Sequence, residues 1–85
     1  MNNKLEIFKK KLIYRAGYRG TKEMDILLSS FVKQYINKLK EDELEELEKF
    51  LGCEDEDIYN FYQNNIVSDK IKDIKIINLF KNFKL

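Results

Sequence analysis

The chain has 85 residues, 10.3 kDa and a formal net charge of +1, a length that leaves room for one hydrophobic core and excludes a two-domain enzyme. Hydrophobic residues make up 44% of it, with five tyrosines and six phenylalanines, enough apolar surface for a small folded domain, which disordered chains lack. Histidine is absent and Cys53 is the single cysteine. That removes the usual zinc sites, disulfide frameworks, His general bases and Cys–His nucleophiles together.

Proline is absent and there are three glycines, a composition suited to uninterrupted helices rather than a many-turned β fold. No stretch approaches the roughly 20 apolar residues that span a bilayer, and the N-terminus lacks the apolar core of a signal peptide. The expectation is a cytoplasmic protein, monomeric when free, without membrane insertion or bound metal.

Charge is distributed unevenly. Residues 1–40 carry ten basic and three acidic groups, residues 41–69 one and eleven, and residues 70–85 five and one. Lys9, Lys10 and Lys11 with Arg15 and Arg19 could form a nucleic-acid patch, but the chain lacks the basic excess that phosphate binding needs. A solvated helix face, lying near the acidic segment or facing a charged partner, accounts for the lysines more simply.

In chain order, Asn3 and Glu6 read as a variant capping box, and Leu5, Phe8 and Leu12 share one face of a first helix from about Lys4 to Ala16. Gly17 and Gly20 bracket a break. Thr21 is a plausible N-cap for a second helix carrying Met24, Leu27, Leu28, Phe31, Val32, Tyr35, Ile36 and Leu39, the strongest helical periodicity in the chain. Glu41, Asp42 and Glu43 suit a helix N-terminus, and Leu44, Leu47, Phe50 and Leu51 supply the apolar stripe of a third helix that Gly52 ends. Asp55 can cap a fourth helix with Ile58, Phe61 and Tyr62 inward, terminating near Asn64 and Asn65. Ser68 can cap a last helix bearing Ile71, Ile74, Ile77 and Phe80. The expected fold is all-α, a compact five-helix bundle forming a single domain over residues 1–85.

Between the first two helices the chain reads Tyr18-Arg19-Gly20-Thr21-Lys22-Glu23-Met24-Asp25. Read physically, Gly20 can supply a positive φ, Arg19 and Glu23 an i, i+4 surface pair, and Asp25 a complement to the helix dipole. Downstream stands Leu51-Gly52-Cys53-Glu54-Asp55-Glu56-Asp57-Ile58-Tyr59-Asn60-Phe61. Arg19-Gly20-x-x-Glu23 resembles the RGxxE signature of the SdhE family, the FAD assembly factors of succinate dehydrogenase (assembly factor 2 in mitochondria). The downstream segment is similar to that family's L-x-C-D-D-x-D-L-x-x-W stretch, so the likeness covers roughly Leu12 to Gln63. Phe61 stands where the family usually has Trp, Gly17 where a larger residue is usual, and Glu56 where proline is frequent.

The resemblance implies a small helical bundle that is not an enzyme. It would bind the flavoprotein subunit of succinate dehydrogenase, and of fumarate reductase by extension, and promote covalent attachment of FAD to a histidine of that subunit. It would hold no cofactor stably itself. Tyr18, Arg19, Gly20, Glu23 and Asp25 would form an exposed partner-binding surface, with no catalytic residue in this chain. The alternatives are an antitoxin-type regulatory protein and a nucleic-acid-binding helical domain. The segment from Ser68 onward matches nothing specific and reads as support for the bundle.

Overall fold

The computed structural model describes residues 3–85. Five helices follow in order: α1 (Asn3–Ala16), α2 (Lys22–Tyr35), α3 (Glu41–Leu51), α4 (Asp55–Asn64) and α5 (Ile77–Lys81), with no strand among the described residues. The chain is all-α, as its sequence predicts. α1 packs against both α2 and α3. The core runs continuously from Leu12 and Ala16 through the α2, α3 and α4 stripes to Phe80 and Phe83.

Local chemistry sets most of the boundaries. The Thr21 hydroxyl accepts the Met24 amide at 3.2 Å and starts α2. Glu43 reaches back to the Lys40 amide at 2.8 Å, half of a capping box, and starts α3. Asn65 takes the left-handed conformation (φ 57°) that asparagine tolerates, and its amide bonds the Phe61 carbonyl to close α4. Two boundaries differ from expectation. Asn3 lies within α1 instead of preceding it as a cap, and α2 ends at Tyr35, with Ile36 buried and Leu39 half-buried in the turn beyond.

The larger difference is at the C-terminus, where a long helix from Ser68 was expected. Only α5 is helical there. Residues 68–76 form successive turns, with the amides of Ile71, Ile74 and Ile77 bonding the carbonyls of Ser68, Ile71 and Ile74. The apolar spacing explains this. Ile71, Ile74, Ile77, Phe80 and Phe83 repeat every three residues, and all five are buried. A straight α-helix advances about 100° per residue, so five such positions would drift by about 240° around it and could not all face one core. Turns with i to i+3 bonds have three residues per turn and keep the five aligned. The Ser68 hydroxyl oxygen, expected to cap, is buried without a hydrogen-bond partner among the described residues.

This segment completes the core instead of merely bracing it. Phe80 packs against Phe31 of α2 and Phe50 of α3, each with ring centroids 5.0 Å away, and against Tyr62 of α4 at the same separation. Phe83 meets Phe31 at 5.4 Å, and its carbonyl accepts the Tyr62 hydroxyl at 3.0 Å. Three helices thus converge on Phe80, in the tilted and edge-on ring arrangements that aromatic quadrupoles favour.

The basic and acidic segments do face one another. Arg15 lies 3.9 Å from Glu48, Lys70 lies 3.8 Å from Glu54, and the Lys75 amide donates to Glu46 at 2.9 Å. Each contact is solvent-accessible and contributes little to stability by itself.

Candidate functional site

The α1–α2 loop is fixed at three points. Thr21 caps α2, as above. The Asp25 carboxylate, one turn into α2, accepts the Arg19 amide. The Arg19 side chain then crosses to the turn between α3 and α4. Its Nη1 donates to the Leu51 carbonyl at 2.6 Å, Nη2 to the Cys53 carbonyl at 2.8 Å, and Nε to Asp55 Oδ1 at 2.8 Å.

The acceptors are well matched to a guanidinium. Leu51 is the last residue of α3, so its carbonyl belongs to the set that has no partner within the helix and carries the negative end of the helix dipole. Asp55 opens α4 and adds a full negative charge. A planar fork of donors can serve three acceptors on alternate residues at once, which a lysine ammonium cannot do in the same geometry. The Arg19 side chain is only 10% exposed and that of Asp55 28%.

This corrects two expectations. Arg19 is not part of an exposed surface and does not pair with Glu23; a partly buried carboxylate and two carbonyls outcompete a solvated i+4 neighbour. Asp55 does not cap α4, where Glu54 holds the cap position without a side-chain bond. Asp25 is half-buried and turned to the loop amide. The remaining candidates do face solvent: Tyr18, Gly20 and Glu23 are exposed, and Glu23 has no ion-pair or hydrogen-bond partner among the described residues. Gly20 has φ +114°, and a Cβ built there would meet nothing within 4 Å. Its need for glycine is therefore conformational within this chain, and its outer side is open to another molecule.

Arg19 physically joins the two sequence segments that stand out. Asp55, Leu51 and Cys53 were missed as site-supporting residues, although all three lie in the second segment. Tyr14 was missed as well: its ring stacks on Tyr18 with centroids 4.4 Å apart and planes 24° from parallel. Cys53 is a free, half-buried thiol whose Sγ lies 3.5 Å from the Lys49 carbonyl. Burial pushes it above the ordinary thiol range, with Asp57 adding to the shift while Arg19 and Lys70 oppose it. Among the described residues no group of His, Cys, Asp or Glu is arranged to hold a metal ion, and no helix is long and apolar enough to cross a membrane.

The described residues form a small helical scaffold that presents one braced loop between α1 and α2. Comparison with known proteins identifies its family. The family model described as flavinator of succinate dehydrogenase matches residues 10–84, and the chain belongs to that family. The match includes the C-terminal segment left outside the resemblance read from the motifs. Among curated proteins, the chain is 40% identical over 81 residues to mitochondrial succinate dehydrogenase assembly factor 2 of Scheffersomyces stipitis, covering 91% of this chain and 54% of that protein. It is 35% identical over 81 residues to the protein of the same name from Debaryomyces hansenii, covering 91% and 57%, and 38% identical over 72 residues to that of Saccharomyces cerevisiae, covering 85% and 44%. The chain spans about half the length of the curated relatives it matches. No solved structure matches it. The comparisons support the assembly-factor reading and give the antitoxin-type alternative no support.

Proposed function

We propose that this chain is an assembly factor that binds the flavoprotein subunit of succinate dehydrogenase and promotes covalent attachment of FAD to it. The family match over residues 10–84 carries this reading. The bond-forming chemistry then belongs to the flavin and the flavoprotein, since this chain has no histidine and its loop offers contacts instead of proton transfer. Its part is to hold the flavoprotein in the conformation that aligns the acceptor side chain with the isoalloxazine, a shift of population and orientation. In this reading it is no enzyme, holds no FAD stably and is a monomer when free.

Within that function, Arg19 is a brace and Gly20, Glu23 and Tyr18 are the contact residues. Glu23 offers an exposed carboxylate to donors on the partner, and Gly20 lets another backbone come close where any side chain would project. Asp25 holds the loop amide and acts through the loop. The setting we assign is a reducing compartment, in keeping with a lone thiol; the relatives are named mitochondrial.

The test is to co-express the native flavoprotein subunit with and without this chain and score in-gel flavin fluorescence after denaturation. Fluorescence that depends on the chain is the expected result. Equal fluorescence in its absence, at matched subunit levels, would overturn the reading.

A further inference from the structure

α1 has a second face that the bundle does not use. Taking Leu12 at the centre of its buried side, Ile7, Lys10, Lys11 and Tyr14 fall on the opposite side within about 100° of arc, and Tyr18 extends the row into the loop. Ile7 is 67% exposed, Tyr14 63% and Tyr18 72%. A solvated helix face would place polar residues at these positions. Three large apolar side chains on one side of so small a domain, two of them stacked together, mark an interaction surface.

Charge specifies the occupant. Lys10 and Lys11 flank Tyr14, are exposed, and have no ion-pair partner among the described residues. The one carboxylate on α1, Glu6, lies outside this arc and is 3.9 Å from Lys9. The row also runs directly into the loop that presents Gly20 and Glu23, because Tyr18 belongs to both. We propose that the outer row of α1, Ile7, Lys10, Lys11 and Tyr14 together with Tyr18, docks on an acidic ledge with an apolar centre on the same flavoprotein subunit. The inference rests on the assembly-factor reading and adds the chemistry of the surface that the partner must offer. Tyrosines at the centre with lysines at the rim fit a protein interface, where aromatic anchors supply affinity and rim charges steer encounter. A membrane surface would favour a deeper apolar face rich in Leu, Phe or Trp.

The experiment titrates the purified full chain onto its cognate flavoprotein subunit at low and high salt, comparing wild type, Tyr14→Ser and the double variant Lys10→Glu, Lys11→Glu. Melting curves are taken for each, and sedimentation with vesicles containing phosphatidylserine is measured in parallel. Each variant is expected to lose about tenfold or more in affinity with an unchanged melting temperature, and the charge-reversed variant to lose most of the salt dependence. Wild-type affinity in both variants overturns the docking row while leaving the assembly-factor reading intact. Affinity lost only in step with folding assigns the row to stability and overturns the proposal, as does vesicle binding lost while flavoprotein affinity is kept. A wild-type chain that does not bind the flavoprotein overturns both.

Discussion

Arg19, in the loop between α1 and α2, is bonded to Asp55 at the start of α4 through Nε and Oδ1 at 2.8 Å, across 36 positions of sequence. With the carbonyls of Leu51 and Cys53 taken by the same guanidinium, this one side chain fixes where the exposed loop sits relative to the second half of the bundle. Removing it strands a partly buried carboxylate and two carbonyls, which costs about 2–3 kcal/mol. Arg19→Ala should therefore lower the melting temperature by about 10 °C or more, and Arg19→Lys should recover only part of the loss. Thermal denaturation followed by circular dichroism checks this; melting curves that coincide with wild type would show that the brace carries no stability.

Gly20 makes the opposite prediction for packing and a specific one for backbone. A Cβ there meets nothing within 4 Å, so the cost of Gly20→Ala is that of holding φ near +114°, about 1–2 kcal/mol. Gly20→Asn should cost about as much as Gly20→Ala, because asparagine's tolerance of positive φ is centred on the left-handed region at about +50 to +70°, short of the Gly20 angle. Urea midpoints for the three proteins give both costs directly.

Much of this was legible in the sequence, and the exceptions have physical causes. Period-3.6 stripes located α1 to α4, and the Thr21 cap is where its chemistry places it. The C-terminal segment differs from expectation because Ile71, Ile74, Ile77 and Phe80 suggest one helical face, whereas a strict repeat of three favours turns. The functional loop was legible as a motif, but not the direction in which its members point. An arginine beside a glutamate four positions on reads as a surface pair; only the fold brings α3's terminal carbonyls within reach of Arg19. Asp55 was misread for the same reason, since a carboxylate at a helix start caps by default unless a buried cation arrives from elsewhere.

Phe61 is buried against Phe80, with ring centroids 6.4 Å apart. Phe61→Ala should destabilise by about 3–5 kcal/mol, through lost burial and the cavity left behind, a large share of the stability of a small domain. Phe80→Ala should cost at least as much, because Phe80 also packs on Phe31, Phe50 and Tyr62. Chemical denaturation measures both, and a Phe80 variant as stable as wild type would remove the C-terminal segment from the core.

Cys53 should label slowly with a thiol reagent in the native state. Its pKa is raised, chiefly by burial and then by Asp57, so the neutral thiol is favoured in the folded protein. The sign follows: this preference stabilises the fold below the ordinary thiol range and is lost as pH rises through the raised value. Labelling should accelerate steeply with pH above that range and should be fast in urea at neutral pH. Native labelling at the rate of the unfolded chain would contradict the half-buried placement.

Glu23 tests the central claim most directly, because it is exposed and has no ion-pair or hydrogen-bond partner among the described residues, so that function and stability separate there. The measurement is covalent flavin on the co-expressed flavoprotein subunit, quantified by in-gel fluorescence, for wild type and Glu23→Ala at matched levels of folded protein. The expected result is a melting temperature within about 3 °C of wild type, an exposed substitution costing less than ~0.5 kcal/mol, together with a loss of most of the covalent flavin. A folded Glu23→Ala chain that supports normal flavin attachment would contradict the account and reduce the braced loop to a helix connection.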